Sequence, residues 1–163
     1  HQSEMKNEKR IISHARNDQS IDRVLDKDGK EYSISEAYEK QIDWVQIDKG
    51  FLSEQEKETV LNLCKYAVVN GSHTVMGEIL GSHAKPIIGI PIYDEHTNQI
   101  EWTKEKKLGL FARNRVQIAE AVREMHENYE EFTDSVKEFS RNFNGNGVSN
   151  TAKIVSEILE DKK

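Results

Sequence analysis

The sequence predicts an α+β fold, predominantly helical, in which a small β-hairpin and a long C-terminal helix share a bundle-like core. Three observations carry this. Ile118, Val122, Met125, Tyr129, Phe132, Val136, Phe139 and Phe143 follow one another at steps of three and four, the spacing of one helix face. The register extends back to Phe111 and Leu108, which predicts one helix over 108–143 of roughly 35 residues and about 50 Å. Between Pro86 and Trp102, Ile88, Ile90 and Ile92 alternate with Gly89, Pro91 and Tyr93, and Ile100 and Trp102 alternate after Asp94 to Asn98, the pattern of a hairpin. Finally, Ser33 with Glu36 and Ser53 with Glu56 are capping boxes that open helices.

Taken in order, residues 1–20 are polar, with Ile11 and Ile12 as an isolated aliphatic pair, and read as a flexible arm that is disordered at its start. Residues 21–163 read as one globular domain, a length that can bury a core. Val24-Leu25 and Glu31-Tyr32 flank the turn signal Asp28-Gly29 and suit a small hairpin. Its acidic loop lacks the remaining ligands of a calcium-binding EF-hand, so no metal site is predicted. Ile34, Tyr38, Ile42 and Val45 then mark a helix ending near Ile47, and Val60, Leu61, Cys64, Tyr66, Ala67 and Val68 a buried one that Asn70-Gly71 stops. Ser72 opens a short helix over 73–80. Thr103 caps the long helix, Asn144-Gly145-Asn146-Gly147 breaks it, and a last helix carrying Ile154, Val155, Ile158 and Leu159 folds back on it, before a solvated tail.

Composition narrows the function classes. A charged fraction of 32% and apolar runs far below about 18 residues exclude a membrane span and describe a soluble protein. The net charge of −6 disfavours attraction to nucleic acid over the whole surface, although a local patch can override the average. Cys64 is the single cysteine, which excludes an internal disulfide and a cysteine-based zinc cluster and suits a buried apolar role. No cofactor signature is read. The expected location is the cytoplasm, with a secreted or cleaved domain as the alternative.

Three functions compete. In the first, a regulatory or inhibitory interaction module, Tyr129, Phe132, Phe139 and Phe143 form an interface with another protein or a second copy of the chain. Opposite them, seven acidic against two basic side chains lie between Glu120 and Glu138, a face that stays in water. In the second, residues 54–115 form a winged-helix-like nucleic-acid-binding domain in which Lys104, Lys106, Lys107, Arg113 and Arg115 touch phosphates. Against it, the short helix carries no Arg or Lys and the wing tip is acidic.

In the third, Gly71-Ser72-His73 and Gly81-Ser82-His83 repeat a tripeptide around Glu78. His73, Glu78 and His83, with Lys85 beside them, can supply the base, acid and charge stabilisation of phosphodiester hydrolysis. Over a few residues His73-Thr-Val-Met-Gly-Glu78 resembles motifs of small bacterial RNase toxins. The spacing itself is no metal signature, because His73 and Glu78 lie about 140° apart around a helix. Capping by Ser and stopping by Gly explain both tripeptides without chemistry. Of the three, the interaction module is the expected function.

Overall fold

The computed structural model describes residues 8–13, 21–143 and 146–160. The expected disorder of the extreme N-terminus, the break at Asn144-Gly145 and the tail 161–163 lie outside them. The fold is α+β and mainly helical. It comprises two compact units, residues 1–63 and 64–163.

In residues 1–63, strands β1 (Arg10–Ser13), β2 (Arg23–Asp26), β3 (Glu31–Tyr32) and β4 (Trp44–Lys49) form a mixed sheet in the order β1-β4-β2-β3. β1, parallel to β4, comes from the segment that the sequence assigns to an arm. The expected hairpin between Val24 and Tyr32 is present. Its turn is closed by the Asp26 carboxylate, which accepts from the amides of Asp28 and Lys30, each at 2.9 Å. The Lys30 amide is the main reason the Asp26 carboxyl is held below its usual range. One sheet face carries a polar chain: Arg10 donates to Gln46, Gln46 to Asp48, and Arg23 to both Asp48 and Glu31. Asp48 is thereby satisfied although buried. The other face, with helix α2 (Glu54–Leu63), encloses an apolar-walled cleft of about 380 Å³ that includes Ile11, Ile47, Leu52 and Val60.

Both capping boxes open helices as read, but both helices end early. In helix α1 (Ile34–Glu39) the Ser33 hydroxyl accepts from the Glu36 amide at 3.1 Å. The chain then turns at Gln41, whose φ is +50, and Val45 and Ile47 belong to β4 rather than to a helix. At α2, the Glu56 carboxylate accepts from the Ser53 amide and the Ser53 hydroxyl from the Glu56 amide. Ala67, Val68 and Val69, expected to prolong it, form a strand instead, the structure that β-branched side chains favour.

In residues 64–163, β5 (Ala67–Asn70), β6 (Ile87–Ile90) and β7 (Gly109–Phe111) form a parallel sheet in that order. Helical crossovers connect them. The first is α3 (His73–Met76), which continues as a π-helical turn (Gly77–Ser82), and the second is α4 (Asp94–Glu105). The hairpin expected over 86–102 is therefore corrected. Ile87 and Ile88 are fully buried in the central strand, and residues beyond Tyr93 are helical. A strand flanked on both sides and covered reads as an unbroken apolar run, and Pro91, lying past its end, interrupts no ladder. Thr103, expected to cap the next helix, is fully buried inside α4 and donates to the Gln99 carbonyl.

The single helix expected over 108–143 is also corrected. Leu108 to Ala112 surround β7, Asn114 caps α5 (Arg115–Glu127), and a break at Asn128 begins α6 (Tyr129–Asn142). Val122, Met125, Phe132 and Val136 are nevertheless buried, because the local period is right within each helix. The last helix, α7 (Gly147–Glu160), has no buried residue, so its apolar face is not folded onto the expected spine. No described helix is long and apolar enough to cross a membrane.

Candidate ligand site at the carboxyl edge of the parallel sheet

Because β5, β6 and β7 run parallel, the loops leaving them open on one edge, the place where open α/β sheets gather ligand-binding groups. The close packing that builds this edge is set by glycines. A Cβ on Gly71 would lie 2.7 Å from the His96 Cβ and 2.8 Å from Ile100 atoms, and one on Gly89 would lie 2.5 Å from Ile100. Helix α4 therefore sits against the backbone of both strands' ends, bringing His96 and Gln99 beside the loop that carries His73.

The three helix starts at this edge differ. At α5 the Asn114 carboxamide accepts from the amides of Val116 and Gln117, both at 3.0 Å, and Gln117 accepts from the Arg113 amide. That end is closed. At α4 the first turn carries Asp94 and Glu95, whose charge suits the helix dipole and repels an anion. At α3 the Ser72 hydroxyl makes no capping bond, and the first intrahelical bond runs from the Met76 amide to the Ser72 carbonyl. The amides of His73, Thr74 and Val75 consequently lack helical acceptors, the arrangement that receives phosphate.

Beside that start lie polar atoms without partners. His96 is 6% exposed, stacks edge-on against Tyr93, and leaves Nδ1 unbonded. Gln99 spends one end of its amide on His73, Nε2 to Nδ1 at 2.9 Å, and leaves Oε1 buried and unbonded. An unpaired buried polar atom costs about 1–3 kcal/mol, so each of these two is an atom whose bonding a ligand or water can complete. Exposed Arg113, its guanidinium 5.2 Å above the Phe111 ring, and Arg115 stand after β7.

The expected site residues fall in several places. His73 is on this edge, but His83 terminates the same helical segment at its far end, with Glu78 between them in the π-helical turn. Ten residues of helix separate the histidines by roughly 15 Å. His73 bonds to Gln99, and the His83 amide to the Glu78 carbonyl. Among the described residues no three His, Cys, Asp or Glu side chains converge as a metal ion requires. The basic cluster is divided by buried β7: Lys104, Lys106 and Lys107 precede the strand and Arg113 and Arg115 follow it. Lys107 is paired with Glu131 at 2.6 Å.

The aromatic stripe packs within its own unit. Phe132 is buried, Tyr129 donates to the Lys65 carbonyl, and Phe139 meets Trp102 edge-on. Phe143, still 44% exposed, lies where Gly81 has no side chain. Burial pushes the Cys64 thiol up, which favours its protonated form.

His96, Gln99 and the open amides were not singled out from the sequence. Asn70-Gly71-Ser72 following an apolar run was the available signal, once that run is read as a strand. Comparison of the chain with protein-family models, curated proteins and solved structures gives no match.

Proposed function

We propose that residues 64–163 bind a small phosphorylated ligand that also carries hydroxyl groups, a nucleotide or sugar phosphate, at the carboxyl edge of β5, β6 and β7. The observation behind this is the open start of helical segment 73–82 beside the unbonded Nδ1 of buried His96. Phosphate would be received by the amides of His73, Thr74 and Val75, the His73 ring, and Arg113 or Arg115. Asp94 and Glu95 repel a bare anion but accept hydrogen bonds from ribose or sugar hydroxyls, so the two halves of the edge suit the two parts of one ligand. Isothermal titration with UDP, ADP, UDP-glucose, glucose 1-phosphate and inorganic phosphate tests it. One of the organic phosphates is expected to bind more tightly than inorganic phosphate. His73→Ala should weaken it about ten-fold or more, the loss of a hydrogen bond to a charged group. Absence of binding by all four organic compounds, or unchanged affinity in His73→Ala, would refute the reading.

Helix α7 favours a second reading, the interaction module, with a second copy of the chain as partner. Val155, Ile158 and Leu159 are 49, 51 and 60% exposed. Antiparallel pairing of two such faces centred on Val155 would set Lys153 of each copy opposite Glu157 of the other, a self-complementary arrangement. Sedimentation should then give a dimer that Val155→Glu converts to a monomer, and a monomeric wild type at high micromolar concentration would exclude it.

A further inference from the structure

The His73 ring is held by one side chain from the neighbouring crossover helix. Gln99 Nε2 lies 2.9 Å from His73 Nδ1. A carboxamide nitrogen only donates, so Nδ1 is the acceptor and the proton of the neutral ring resides on Nε2. The opposite amide orientation would place Oε1 against an Nδ1–H and bury the amino group in its stead. That would orphan two donors where the observed orientation orphans one acceptor, and buried N–H groups without partners are the rarer of the two. The glutamine is firmly seated. Its main-chain carbonyl accepts from the fully buried Thr103 hydroxyl at 2.9 Å, and the next residue, Ile100, is buried against Gly71 and Gly89.

We propose that Gln99 is a positioning residue that keeps His73 in its Nε2–H tautomer, so that the ring offers a neutral N–H donor to the ligand. The consequence for binding rests on the phosphate-ligand reading of this edge; the tautomer does not. In that tautomer the ring donates from Nε2 without carrying charge, and the bond to the ligand is that of an ordinary N–H donor.

Nitrogen-15 NMR of the imidazoles in the unliganded full chain tests the tautomer, with His73 assigned by the signal missing from His73→Ala. The wild type should show protonated Nε2 and bare Nδ1. Gln99→Glu, whose carboxylate accepts only, should move the proton to Nδ1 and raise the charged fraction. Gln99→Met, similar in length but without the amide, should let the ring relax to the weaker Nε2–H preference of a free neutral imidazole, with a measurable share of Nδ1–H. A wild-type ring protonated on Nδ1, or one indifferent to both substitutions, overturns the proposal, and either the wild type or Gln99→Met decides it if Gln99→Glu does not fold.

Binding supplies the second readout, with UDP-glucose as the probe. Gln99→Met should bind about five-fold more weakly, the worth of one neutral hydrogen bond. Unchanged affinity in Gln99→Met would overturn the role of Gln99 in binding. Tautomer control without binding of any organic phosphate would sink the site reading alone. Binding with an indifferent tautomer would sink the role of Gln99 alone.

Discussion

Replacing Ile100 by alanine is expected to destabilise residues 64–163 by about 2–5 kcal/mol, towards the upper end of that range. The side chain is fully buried and meets two backbones at once, since its atoms occupy the space that side chains at Gly71 and Gly89 would take. Glycines have nothing to extend into the cavity left by truncation, so relaxation must come from movement of α4 itself. That helix carries His96 and Gln99, and its movement would loosen the bond between Gln99 and His73. Loss of stability and of ligand affinity should therefore appear together. Urea unfolding of wild type and Ile100→Ala, followed by titration under native conditions, measures both. A stability change below about 1 kcal/mol would show that Ile100 does not set the spacing of the edge.

What the sequence revealed was local. The hairpin from Val24 to Tyr32 and the helix starts at Ser33 and Ser53 depend on residues within a few positions of one another, so each could be read from a short window. The parallel sheet could not. Ala67 to Asn70 and Ile87 to Ile90 are four-residue strands that pair with each other across twenty positions. Short apolar runs of that kind fit helix and strand alike until the partner is known. Leu108 and Phe111 fell into phase with the stripe beginning at Ile118 by coincidence, and the Asn114 cap between them, a side chain accepting two amides, separates strand from helix. The site shared this fate. His73 stood out through the repeated Gly-Ser-His, whereas Gln99 and His96 acquire their roles only because Gly71 and Gly89 let α4 approach the strand ends. His83, the other half of the repeat, lies at the far end of the helical segment.

Gly109→Ala is expected to cost about 3 kcal/mol or more, because its conflict is with backbone and not with a side chain able to turn away. A Cβ at this position would lie 2.2 Å from the carbonyl oxygen of Ile87, its partner across the β6–β7 ladder. The strands would have to part just where the Ile87 amide donates to the Leu108 carbonyl at 3.3 Å. Leu108 and Leu110, both nearly fully buried, would be displaced with them, and so would Arg113 and Asn114 at the carboxyl end of β7. Gly77 is the matched control. Its conformation is α-helical and a Cβ there meets nothing within 4 Å, so Gly77→Ala should be neutral or stabilise by about 0.4–1 kcal/mol through the unfolded chain. Thermal or urea unfolding of the two variants side by side separates a steric cause from a general intolerance of alanine. Equal stabilities would mean that β7 is not packed against Ile87 as described, and with it the placement of the Arg113 end of the ligand edge would fall.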